Sequence, residues 1–243
     1  MRVANSILLV AAFAGAVSFA QTESSDAPRN PTYTQAVDAF VATEMAHHHI
    51  PGVAVGVYSR GKILLAKGYG LANVELNVPV RPETLFESGS VGKQFVAAAV
   101  MMLVQDGKLS LDDSITKYFA DAPKTWKPIL IKNLLSHTSG LQDYTTSDLT
   151  GQTGPFYLRL DFTEDQLLSK IEALPTQWAP GEKWAYSNTN YVLLGFLIHR
   201  VTGMLNAEFL NKRIFKPLDM TSTRLISQKP LLAVRRSIPH PVA

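Results

Sequence analysis

The chain has 243 residues, of which 46% are hydrophobic and none is cysteine, and its net charge is +3. This hydrophobic share excludes an intrinsically disordered protein, and the length is sufficient for a sizeable core. The missing cysteines exclude a disulfide scaffold, a cysteine nucleophile and thiolate metal sites, and the small, unclustered positive charge argues against a nucleic-acid partner.

The first twenty residues have the pattern of a secretory signal peptide. Arg2 gives a positive start, residues 7–17 are apolar, and residues 18–20 offer small side chains for cleavage near Ala20 and Gln21. The alternative is an N-terminal membrane anchor, but the apolar run is far shorter than the ~20 residues that span a bilayer. We therefore expect a periplasmic or secreted protein without a stable membrane anchor, in which residues 21–30 are a linker.

Residues 31–80 are predicted to form a helix followed by a β-hairpin. Asn30 and Pro31 are a favourable N-cap and first helical residue, and apolar residues then recur at helical spacing. Residues 53–57 and 63–70 alternate as strands do and flank a polar turn.

Residues 81–217 are predicted to be mainly helical. A long amphipathic helix begins at Ser90 and ends before Gly107, and a short helix at 129–135 is closed by Gly140. Further helices are predicted after a capping box at 163–166, after a cap at Asn188, and at 206–215. Residues 218–243 are an atypical tail with three prolines and room for one strand at 231–234.

Ser90 and Lys93 form a Ser-x-x-Lys pattern at the predicted start of the long helix. A serine hydroxyl needs a base beside it to act as a nucleophile, and residues three apart share one helix face. A lysine desolvated there would accept a proton, and the Ser90 N–H would be available to an oxyanion. By itself the pattern is far more often a serine N-cap followed by a surface lysine.

Two other interpretations of this stretch fail. A phosphate-binding loop would require a glycine at Glu87 and a Ser or Thr at Gln94. A nucleophile elbow requires a glycine at Ser88 and an apolar strand before it, and residues 81–87 are not apolar.

Tyr186 and Asn188 form a second pattern, Tyr-x-Asn. A tyrosine beside a cationic lysine can act as a general base, and an asparagine can bind both that lysine and a substrate amide. The alternative is a buried tyrosine followed by a helix cap.

Ser-x-x-Lys followed by Tyr-x-Asn resembles the penicillin-recognising serine hydrolases, particularly the class C β-lactamase-like and penicillin-binding protein-like branch. Further segments that look like this family are 50–53 (IPGV), 68–70 (GYG), 84–86 (TLF), 94–95 (QF), 107–113 (GKLSLDD), 134–141 (LLSHTSGL) and 214–218 (IFKPL). The resemblance implies an α+β fold of the β-lactamase/transpeptidase type, with an antiparallel sheet and a helical subdomain.

The resemblance also implies roles for the four residues. Ser90 would be the acylated nucleophile, Lys93 and Tyr186 the base system, and Asn188 a substrate-binding residue. It implies a hydrolase that needs no metal or cofactor and acts on a lactam, amide or ester of a small-molecule or peptidoglycan-like substrate. It leaves the oligomeric state open.

The chain departs from the family pattern after the last predicted helix. The family has a Lys-Thr-Gly or His-x-Gly motif on a closing strand, and none of the fifteen glycines here has Lys, Arg or His two residues before it. We therefore expect residues 31–243 to form a partial domain, C-terminally truncated, whose closing strands are largely missing. The alternative function is that of a catalytically impaired member that only binds ligands.

Three further side-chain groups are candidates for chemistry. The histidines at 47–49 suggest a metal site, but without a second ligand cluster we favour a solvated turn. His137 suggests a Ser–His–acid triad, but the resemblance gives it a structural place at a helix end. Trp184 is the tryptophan expected to line the cleft.

Overall fold

The structure is a computed structural model that describes residues 31–146 and 162–225. The chain divides into two compact units, Met1–Phe86 and Glu87–Ala243.

The first unit contains one helix and a small antiparallel sheet. Helix α1 spans Pro31–His47, and the strands are β1 (Gly52–Ser59), β2 (Lys62–Asn73) and β3 (Val78–Pro79), in the spatial order β1-β2-β3. The helix and hairpin agree with the sequence prediction, whereas β3 was not predicted because it has only two residues. Asn30, the predicted cap of α1, lies outside the described residues.

The turn between β1 and β2 explains why the hairpin forms here. Arg60 and Gly61 both have left-handed φ angles, 49° and 77°, as the tight two-residue turns of twisted hairpins require. The strands then pair from Ser59 with Lys62 to Gly52 with Gly70.

The second unit is helical. Its helices are α2 (Lys93–Gln105), α3 (Ile131–Leu135), α4 (Glu164–Glu172), α5 (Asn188–Thr202) and α6 (Asn206–Leu210), which continues as a π turn over Asn211–Phe215. Short 3₁₀ turns lie at Gly89–Gly92, Ile115–Lys117, Lys124–Trp126 and Tyr144–Thr146. The capping box before α4 is confirmed, since Thr163 and Gln166 bond each other's backbone N–H groups.

Three details of the prediction are wrong. Ser90 lies in a 3₁₀ turn rather than in the long helix, which begins at Lys93. Gly140 does not close α3, which ends at Leu135; its left-handed backbone instead packs so tightly on the Trp178 carbonyl that a Cβ would collide with it. Asn188 is the first residue of α5 and not its cap, because its side chain bonds neighbours outside the helix.

The hydrophobic core of the second unit lies between α2 and α5. Ala99, Val100 and Leu103 from α2 are buried, and α5 is buried along most of its length. This packing fixes the direction in which the first residues of both helices point, and these residues belong to the candidate site. No helix in the described part of the chain is long and apolar enough to cross a membrane. The strand predicted at 231–234 lies outside the described residues.

Replacing Leu197 with alanine is expected to destabilise the protein by about 2–5 kcal/mol, because Leu197 is fully buried on α5 and its loss leaves a cavity. Urea unfolding of the two proteins measures this difference. Exposed Leu205→Ala is the control and should change the free energy of unfolding by less than about 0.5 kcal/mol. Equal losses for the two variants would contradict the position assigned to the core.

Candidate active site

Ser90 and Lys93 are brought together by the junction between the 3₁₀ turn and α2. Ser90 is exposed on the turn, and Lys93, half-buried, is the first residue of the helix. Lys93 Nζ donates a hydrogen bond to Ser90 Oγ at 3.1 Å. The spacing of three residues therefore places Lys93 beside Ser90 as predicted, although the backbone at Ser90 is 3₁₀ rather than α.

Tyr186 and Asn188 lie next to Ser90 and Lys93, although they are distant from them in the sequence. Tyr186 Oη lies 2.6 Å from Ser90 Oγ, and Lys93 Nζ donates to Asn188 Oδ1 at 2.9 Å. The Tyr186 hydroxyl donates to Asn188 Oδ1 at 3.1 Å. The structure thus brings together all four residues that the two sequence patterns singled out.

The short contact between Ser90 and Tyr186 provides a direct path for proton transfer. Either hydroxyl can be the donor across the 2.6 Å between Ser90 Oγ and Tyr186 Oη, and a lone pair on Ser90 Oγ accepts from Lys93. A neutral phenol has one proton, which Tyr186 can donate to Asn188 Oδ1. Only the phenolate form of Tyr186 can take up the proton of Ser90.

The electrostatic surroundings of Tyr186 favour its charged form. Burial raises the pKa of the Tyr186 phenol, but hydrogen bonds involving Lys93 and Ser90, together with the Lys93 charge, bring that pKa below its ordinary value. The Lys93 ammonium also lies 4.9 Å from the centre of the Tyr186 ring. The site therefore makes the phenolate, which is the form that can accept a proton, easier to reach near neutral pH than in a free tyrosine.

Asn188 is oriented by Asp143 and Thr145. Its Nδ2 donates to Asp143 Oδ2 at 3.0 Å and to Thr145 Oγ1 at 3.3 Å, so its Oδ1 faces Lys93. Thr145 in turn donates to Asp143 through both its N–H and its hydroxyl. Sequence reasoning missed both residues, and the only available signal was their position just after the segment 134–141.

His137 contacts the Tyr186 segment rather than Ser90. Its carbonyl accepts from Ala185 N at 3.0 Å, and its Nδ1 accepts from Ser187 N at 3.2 Å, so the ring carries its proton on Nε2. Burial, together with the Lys93 charge, lowers the pKa of His137 and keeps the ring neutral. These contacts favour the structural place expected for His137 over a triad.

A cavity of about 500 Å³ adjoins Lys93 and Asn188. Its wall includes Tyr191 and Phe196 from α5 and Leu167 from α4. Trp184 is not part of that wall: it is 67% exposed, and its ring meets that of His137 edge-on.

Comparison with known proteins identifies the family. The beta-lactamase family model matches residues 37–241. The chain belongs to the beta-lactamase family. This family comprises hydrolases of one fold, in which helices accompany an antiparallel sheet, and the predicted fold class is thereby confirmed.

Individual members of the family are identical to this chain at about a third of the aligned positions. Protein flp of Staphylococcus aureus is 32% identical over 203 residues, which cover 78% of this chain and 38% of that protein. The octameric penicillin-binding protein homologue from Pyrococcus abyssi superimposes with a TM-score of 0.67 at 31% identity, covering 77% of this chain and 43% of that one. A class C beta lactamase has a TM-score of 0.67 at 29% identity, with coverage of 78% and 50%. The chain thus spans between about two fifths and half the length of these relatives.

Proposed function

We propose that the protein is a serine hydrolase that acts through an acyl-enzyme on an amide, lactam or ester carbonyl. The observation that carries this proposal is the 2.6 Å contact between Ser90 Oγ and Tyr186 Oη, beside the Lys93 ammonium. Family membership supports the reaction class, since hydrolysis of a lactam is the chemistry for which the family is named.

The mechanism begins with Tyr186 as the phenolate, whose oxygen accepts the Ser90 proton and becomes a neutral phenol. Ser90 Oγ forms a bond to the substrate carbonyl carbon, and the carbonyl electrons move to its oxygen, which the Ser90 N–H can stabilise. Tyr186 then passes the proton to the departing nitrogen or oxygen as that bond breaks. A water molecule, deprotonated by the same base, cleaves the Ser90 ester and restores the free hydroxyl.

Lys93 and Asn188 have supporting roles in this mechanism. The Lys93 ammonium stabilises negative charge on Tyr186 and binds the Asn188 carbonyl oxygen at 2.9 Å. Asn188 therefore holds Lys93 in place, and it also lines the cavity, where it can contact the substrate.

We propose a small-molecule or peptidoglycan-like substrate and a periplasmic or secreted location. The relative from Pyrococcus abyssi is a penicillin-binding protein homologue, which supports a substrate with a lactam group. The location rests on the signal-peptide pattern of residues 1–20.

Covalent labelling tests the reaction. The purified chain is incubated with a fluorescent penicillin or a fluorophosphonate probe, and the labelled residue is found by peptide mass spectrometry. We expect one label per chain on Ser90, none in Ser90→Ala, and full labelling in the control Ser88→Ala, whose serine is also exposed on the same loop. Equal labelling of Ser90→Ala would refute the proposed nucleophile. Binding of penicillin without a covalent bond would instead identify a non-catalytic binding protein.

A further inference from the structure

The C-terminal end of α1 carries a group of metal-ligating side chains apart from the Ser90 site. His47 is the last residue of α1, and His48 and His49 follow it directly. The sequence offered no second ligand cluster, but the helix provides a further ligand: Glu44 lies three and four residues before His47 and His48 and so shares their helix face. One ligand atom from each of these three residues lies within 4.8 Å of the others.

The spacing of these atoms suits a tetrahedral metal ion. Ligands about 2.1 Å from a zinc ion at tetrahedral positions are roughly 3.4 Å from each other. Glu44 Oε2 and His48 Nε2 are already 3.3 Å apart. The His47 ring, whose centre is 4.5 Å from that of His48, is exposed and can complete the triangle by side-chain rotation.

The ligand types select the kind of metal. Two imidazoles and one carboxylate suit Zn²⁺, Cu²⁺ or Ni²⁺, whereas Ca²⁺ and Mg²⁺ prefer all-oxygen sites. The free carbonyl groups at the C-terminal end of a helix also favour a positive charge. His49 has a left-handed φ of 53°, and its side chain is not part of the group.

We propose that Glu44, His47 and His48 bind one divalent transition-metal ion of the zinc class, with water at the remaining position. The bound ion would link the last turn of α1 to the residue that follows the helix and so stabilise that end. The site belongs to the first unit, and its existence does not depend on the proposed serine chemistry.

Calorimetric titration with Zn²⁺ alone, on the full chain without a histidine tag, tests this site. We expect one Zn²⁺ per chain in the wild type and no binding of Mg²⁺ or Ca²⁺. His48→Ala, His47→Ala and Glu44→Gln should each weaken Zn²⁺ binding at least about tenfold, since even a group that only supports a ligand costs this much when lost. The matched control His49→Ala should bind as the wild type does.

Thermal unfolding gives a second readout that does not depend on activity. Zn²⁺ should raise the unfolding midpoint of the wild type and of His49→Ala but not that of His48→Ala, because binding stabilises only a folded state that has the site. All four substituted positions are surface positions of intermediate or high exposure, so the variants should fold. Absence of Zn²⁺ binding, or an equal loss in His49→Ala and His48→Ala, would refute a metal site at Glu44, His47 and His48.

Discussion

Replacing Lys93 with methionine is expected to slow acylation of Ser90 by roughly 10²–10⁴-fold, the usual contribution of a group in an acid–base system. Methionine preserves the length of the side chain, but it cannot donate to Ser90 Oγ or to Asn188 Oδ1, both of which accept from Lys93. The rate is measured as the rate of labelling by the fluorescent penicillin.

The pH dependence of the labelling rate shows whether Lys93→Met is slow because the positive charge is missing or because the side chain has a different shape. Burial raises the pKa of Tyr186 and Lys93 lowers it, so removing the lysine leaves burial opposed only by the hydrogen bond with Ser90 and raises this pKa. If acylation requires the Tyr186 phenolate, the rate increases as pH rises through that pKa. The increase should therefore occur at higher pH in Lys93→Met than in the wild type.

The matched control is Lys132→Met. Lys132 is an exposed lysine that pairs with Asp112, so its replacement should change neither the rate nor the pH profile. A Lys93→Met variant that is folded by circular dichroism and labels at the wild-type rate would remove Lys93 from the mechanism.

Replacing His137 with leucine is expected to slow labelling of Ser90 by about a hundredfold, because small misplacements of a reacting group are this costly. In the wild type, the hydrogen bond from Ser187 N to the His137 ring holds the backbone next to Tyr186. Leucine cannot accept this hydrogen bond, so the buried N–H of Ser187 is left unpaired. It is also unfavourable at the left-handed backbone of His137, where φ is 57°. His137 is therefore a positioning residue for Tyr186.

Asparagine at the same position is the informative comparison. His137→Asn keeps an oxygen close to the place of Nδ1 and tolerates a left-handed backbone, so it should recover most of the labelling rate. Both variants are also unfolded in urea, and an unpaired buried N–H should cost His137→Leu about 1–3 kcal/mol. If folded His137→Leu labels as fast as the wild type, His137 contributes to stability alone.

The sequence was sufficient to predict a contact wherever that contact joins residues that are close together along the chain. The capping box at Thr163 and Gln166 and the approach of Lys93 to Ser90 both span three residues, a distance that helical geometry fixes locally. The hairpin of β1 and β2 was predictable for a similar reason, since its alternating pattern and its turn lie within one short segment. Even there, the sequence did not show that Ser90 precedes the α-helix, because a 3₁₀ turn has no distinct residue pattern.

The tertiary structure decided which distant residues meet. Ser90 and Tyr186 are 96 residues apart, and without the resemblance to a known family neither pattern determined that they form one site. Asp143 and Thr145, which orient Asn188, had no visible motif. The physical reason is that such contacts depend on how α2 and α5 pack around their shared core, which is a property of many side chains together. The sequence by itself therefore determined the types of the candidate catalytic residues and their local spacing, and the packing of the helices determined how those residues are oriented toward one another.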